Sequence, residues 1–240
     1  MAWSASIGLL TACGQNGDDG LIQPGEIIGD GTLQMSDVRP VAGFLPNTSL
    51  LRPGSSGEPD LYYRNPAASF STYNKVMLDP VIIWAPPNST LDGVPPDQRQ
   101  KLADTFQSDL RNALKKRCQV VTSPSPGTMR IRYALVDAKF PNAIVNTIAT
   151  YAPYASDAYT LASFAFNDGV GYFAGTATIE GYATDATAGT LLWEALDKRG
   201  GTTALLENTL DTWLDIDHAF EVWSGRLVSR VQALGACRRG

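Results

Sequence analysis

The chain has 240 residues, 44% of them hydrophobic and 18% charged, with a net charge of −5. That length and apolar content suit a single domain able to bury its own core. The acidic balance argues against a nucleic-acid surface, which needs clustered Lys and Arg, and no apolar run is long enough to cross a bilayer.

In chain order, a short apolar run, Ile7-Gly8-Leu9-Leu10, leads into Thr11-Ala12-Cys13. Leu, a small polar residue, a small residue and then Cys is the pattern of a bacterial lipobox. There the Cys is lipidated and becomes the new N-terminus when the signal is cut. Residues 1–12 are therefore expected to be a signal peptide remnant. A signal opens with a basic region, and Met1 to Ala12 holds no Lys or Arg, so Met1 is expected to lie inside a longer signal. The alternative is that Cys13 is an ordinary thiol near a frayed terminus. Gly14 and Gln15 follow, not the Asp that favours inner-membrane retention. The expected location is the outer membrane, periplasmic face, with the membrane as a partner through acyl chains.

Residues 13–40 read as the lipidated Cys and a flexible tether, rich in Gly, Asp, Gln and Pro. A single domain is expected over residues 41–240, opening near Gly43-Phe44-Leu45. Leu51 to Asp60 reads as a loop. Tyr73 to Ala85 reads as a strand broken at Pro80, which cannot donate to a ladder and so predicts an edge or a bulge. Pro95-Pro96-Asp97 predicts a helix start. Leu102, Phe106, Leu110, Ala113 and Leu114 form one apolar stripe along that helix. Lys115-Lys116-Arg117 suits its negative end, so the basic triplet needs no ligand.

A short strand follows over Cys118 to Thr122. Met129 to Val136 alternates, with Met129, Ile131, Tyr133 and Leu135 facing one way. Tyr172–Thr184 and Thr190–Lys198 flank a turn, Asp185 to Gly189, and read as a hairpin. In the last helix Ile216, Phe220, Trp223, Leu227, Val231 and Leu234 share a face, with Asp215 or Asp217 as a cap and Gly235 as a stop. The predicted class is α+β: a mostly antiparallel sheet with two long amphipathic helices packed on one face. Residues 140–170 are the exception, an apolar insert with Tyr151, Tyr154, Tyr159, Phe164 and Phe166 as candidate partner or ligand contacts. It could cover the sheet, wall a cavity or dock a partner.

With Cys13 lipidated, Cys118 and Cys237 remain. In an oxidising compartment they read as one disulfide, against two separate buried thiols. Catalytic signals are weak, and no catalytic residue, metal site or cofactor is expected. The one histidine, His218, follows Asp215 and Asp217, which the helix start explains as caps or first-turn acids rather than as metal ligands. No Gly-x-Ser-x-Gly elbow, phosphate loop or Cys-x-x-Cys is present. Tyr62-Tyr63 could anchor a partner if exposed.

Several landmarks recur together. They are the lipobox at Cys13; Gly43-Phe44-Leu45; Tyr73-Asn74-Lys75-Val76 with Asp79-Pro80-Val81; the helix from Asp97; Gly127 to Ile131 leading to Val136-Asp137-Ala138; Glu180 to Leu192; and the helix through Phe220 and Trp223. Their order over Gly43 to Leu234 resembles a family of uncharacterised proteobacterial lipoproteins catalogued as a domain of unknown function. The resemblance implies an exported, anchored α+β domain and assigns no activity. The expected function is a non-enzymatic binding or envelope-assembly module with a periplasmic or outer-membrane protein partner and no nucleic acid. A carrier or sensor of an apolar ligand, walled by the insert, is the alternative, and an envelope hydrolase comes third.

Overall fold

A computed structural model describes residues 32–36, 38–87, 89–139, 176–201 and 214–238. The insert with its five aromatic candidates, and Cys13 with most of the tether, lie outside the described residues.

Among the described residues, nine strands form one sheet. In chain order they are β1 (Thr32–Met35), β2 (Arg52–Pro53), β3 (Leu61–Arg64), β4 (Lys75–Leu78), β5 (Ile82–Ile83), β6 (Gln119–Val120), β7 (Thr128–Lys139), β8 (Thr176–Asp185) and β9 (Leu191–Gly201). The spatial order is β2-β3-β9-β8-β7-β4-β6, with β1 on β9 and β5 on β7. Two long helices, α1 (Pro96–Lys115) and α2 (Leu214–Ala233), join the sheet in an α+β fold.

The sheet is mixed, which corrects the expectation of a mostly antiparallel one. β7, β8 and β9 are antiparallel, whereas β4 runs parallel to both β6 and β7, and β5 runs parallel to β7. The reason lies in α1. A helix between two neighbouring strands carries the chain back across the sheet, so the second strand enters in the same direction as the first. The expected single strand is split where Pro80 stands. β4 and β5 pair with β7 on either side of it, and the Val81 N–H turns to the Gln107 side chain of α1 instead.

α1 begins with Pro96 in its first turn and Asp97 behind it, as the sequence predicts. Its stripe of Leu102, Phe106, Leu110 and Leu114 is buried against Ile216, Phe220, Trp223, Leu227 and Val231 of α2 and the apolar face of β7–β9. Phe106 stacks on Phe220 at 4.7 Å between ring centres. Both helices thus cover one face. Burying such side chains stabilises by roughly 1.5–3 kcal/mol each. α2 starts at Leu214, so Asp215 and Asp217 both lie inside the helix rather than capping it. Gly235, at φ +85°, ends it as predicted.

Cys118 and Cys237 are disulfide-bonded, their Cα atoms 4.8 Å apart. The bond joins the chain just after α1 to the chain just after α2. Cys237 also donates its N–H to the Tyr73 carbonyl, which ties the C-terminal end to the entry of β4.

The other face of the sheet carries a second, smaller core. Phe44, Leu45 and Leu51 lie on Ala134, Val136 and Tyr182. Residues 38–51 therefore form a strap across the sheet. The tether expected to reach Pro40 already includes β1, whose register sets Thr32 against Gly201 and Met35 against Lys198. β1 and β3 together cover the outer side of β9, where bare N–H and C=O groups would otherwise be left.

Candidate functional site

Strand alternation places Glu180 and Tyr182 of β8 and Glu194 and Leu196 of β9 on the strap side. The register sets Glu180 beside Leu196 and Tyr182 beside Glu194, so the two glutamates are diagonal neighbours. Both are fully buried. Each holds the strap through one oxygen. Glu180 Oε1 accepts the Val41 N–H, and Glu194 Oε2 accepts the Asn47 N–H at 3.1 Å. The second oxygen of each, Glu180 Oε2 and Glu194 Oε1, is buried without a hydrogen-bond partner. Burial penalises the charged form. It raises Glu180 to about 7, with the Val41 N–H opposing and the Glu194 charge adding to it. Glu194 is raised by burial too, against the Asn47 N–H. The pair thus clamps the strap, and burial favours the protonated form of each.

Asp197, one register step further on β9, points to the helix face. Its Oδ1 accepts Gln34 Nε2 at 3.0 Å and the Asp60 N–H at 3.1 Å. Its Oδ2 accepts Trp223 Nε1 at 2.6 Å and Arg199 Nε at 3.2 Å. One carboxylate therefore joins β1, the loop before β3, α2 and β9. Asp185 plays a similar part at the hairpin tip. It accepts the Thr187 and Ala188 N–H groups, the Thr187 hydroxyl and the Tyr73 hydroxyl. Those donors hold its carboxyl down at about 2, and burial with the Asp185 contact pushes Tyr73 up to about 12. Asp79 binds Arg130 through two nitrogens and reaches Arg132 at 3.3 Å, while Arg132 donates to the Tyr182 hydroxyl.

Between α2 and the sheet lies an apolar slot bordered by Tyr62, Tyr133, Trp193, Trp223 and Leu227, with Gly181 as its floor. Its cavity is about 30 Å³, room for a single water rather than an acyl chain. Gly181 is required there. A Cβ would meet Tyr133 Cε1 at 2.2 Å, while the Tyr133 ring is held by Phe106 and Trp193 at 5.5 and 6.1 Å.

Tyr62 and Tyr63, open as anchors in the sequence, are half-buried against the two different cores. Trp223 belongs to the core, as its stripe position predicts. His218 is half-exposed on α2 and faces Glu221 one turn on at 3.6 Å, a surface helix pair of small energetic weight. The buried glutamates and Asp197 were not singled out from the sequence. The available signal was an apolar strap, Val41 to Leu45, that had to cover something, and a strand β8 whose alternation puts Glu180 on the covered side.

The chain belongs to a family described as "Protein of unknown function (DUF3313)", whose model matches residues 40–227. No curated protein matches the chain. Among solved structures it is similar to the PelC dodecamer from Paraburkholderia phytofirmans, at 11% identity over 74% of this chain and 98% of that one, TM-score 0.36. A hypothetical protein from Chlamydia trachomatis shares 11% identity over 67% and 99%, TM-score 0.36. A DUF4136 family protein from Bacteroides thetaiotaomicron shares 10% over 74% and 96%, TM-score 0.31. Likenesses this distant assign no residue a role.

Proposed function

We propose that the protein is a lipoprotein of the outer membrane, periplasmic face, anchored through Cys13, and that its domain is a non-enzymatic binding or assembly module for a periplasmic or outer-membrane protein. The observation that carries this reading is the Cys118–Cys237 bond. A stable disulfide belongs to an oxidising compartment, and a lipobox Cys ahead of it uses the third cysteine in a way that needs export as well. The binding reading is supported by how the acidic side chains are used: Asp79, Asp185 and Asp197 each hold structural donors. Strand β1 offers a route for contact. It is bonded to β9 on one side, and strand addition to the other side needs only backbone groups.

The test is expression with a full leader in a Gram-negative host, followed by membrane fractionation and intact mass. The expected result is an acylated chain in the outer membrane, and a Cys13→Ser chain released to the soluble periplasm. An unmodified wild-type chain in the soluble fraction would overturn the reading. A photo-crosslinker at Ser36, exposed just past β1, should give a discrete envelope-protein adduct. Its absence there, with the fold intact, would count against the sheet edge as the contact.

A further inference from the structure

Beside the start of the strap is a cleft of about 320 Å³, within the range of small-ligand sites. Three strands meet under it in one row. Asp137 of β7 lies opposite Thr178 of β8, which lies opposite Lys198 of β9. Arg39 comes from the strap, and Ser89 and Thr90 from the turn before α1. Asp137 does not neutralise the basic residues by pairing. Its Oδ1 accepts the Ser89 hydroxyl at 2.9 Å, the Thr90 N–H at 3.1 Å and the Thr90 hydroxyl at 2.6 Å. The side chains of Arg39 and Lys198 make no ion pair or hydrogen bond with a described residue. Arg39 is exposed, but Lys198 is half-buried on an interior strand. A partly desolvated ammonium is costly unless an anion meets it.

We propose that this cleft binds a phosphate group. The guanidinium fork of Arg39 would take two phosphate oxygens and Lys198 a third, with the Thr178 hydroxyl at the floor. Asp137 offsets one of the two positive charges, so a singly charged phosphate diester fits better than a free dianion. The phosphate can come from a lipid headgroup or from a soluble phosphoester. The proposal does not depend on lipidation of Cys13, so the two readings fail separately.

The test uses the full chain carrying Cys13→Ser, with inorganic phosphate followed by amide NMR and with sedimentation on vesicles. Inorganic phosphate should shift the Thr178 and Lys198 amides, and Lys198→Gln or Arg39→Gln should weaken this about tenfold. Arg39→Gln is at an exposed site and keeps the test valid if Lys198→Gln does not fold. Lys115→Gln, at the end of α1, should change nothing. Co-sedimentation with phosphatidylglycerol vesicles but not with pure phosphatidylcholine would identify a headgroup as the source, and phosphate shifts without co-sedimentation would identify a soluble phosphoester. Shifts that survive Arg39→Gln, or no shifts and no sedimentation, would overturn the proposal.

Discussion

Replacing Glu180 by Gln isolates the effect of one buried charge. The unfolded group titrates near 4.5 and the folded one at about 7. The native state therefore holds its proton more tightly than the unfolded chain does. The stability tied to that proton is complete below about pH 4.5 and is lost as pH rises towards 7, after which the curve is flat. Between about pH 5 and about pH 8.5 the wild-type chain should lose about 2.5 kcal/mol from this group alone. Glu180→Gln keeps an oxygen for the Val41 N–H but places an amide where Oε2 has no partner, which costs about 1–3 kcal/mol at every pH. The variant should thus be weaker than wild type in acid and equal or stronger in alkali. The difference between the two comparisons removes the amide penalty and leaves the charge. Urea unfolding across this pH range measures it. Parallel stability curves for the two proteins would refute the reasoning.

Three further outcomes follow from the same geometry. Asp197→Ala takes the acceptor from buried Trp223 Nε1 and one contact from the Arg199 guanidinium, and should cost about 3–5 kcal/mol by urea unfolding; a loss under about 1 kcal/mol would show that the four contacts are incidental. Gly181→Ala forces the Tyr133 ring into Phe106 and Trp193 and should cost about 1–3 kcal/mol, with altered near-ultraviolet circular dichroism. Cys118→Ser removes a link across 119 residues of sequence and should cost up to about 5 kcal/mol on the chain-entropy model. Equal melting of the wild-type chain with and without reductant would contradict that.

Much of the fold is legible because burial follows period. The stripe Leu102–Phe106–Leu110–Leu114, the stripe of α2 and the alternation of β7 each point one way and are found that way. Pro80 and the Asp185–Gly189 turn act locally and are likewise found in place. Strand direction is not local. Val76 and Leu78 carry the same alternation whether β7 lies parallel or antiparallel to them, so only the crossing of α1 decides the pairing. The candidate site was harder still. Glu180 and Glu194 are acidic residues on strands, and polarity alone places such groups in solvent. It is the strap, 139 and 147 residues earlier in the chain at its two contacts, that buries them. A contact of that sequence separation leaves no periodic mark.

The Cys118–Cys237 bond closes a covalent ring that contains β6 through α2. A protease that cuts anywhere inside this ring opens it without separating the pieces. Both fragments stay joined, and the nicked protein runs at its full mass until it is reduced. Cleavage within this stretch therefore releases neither part from the core.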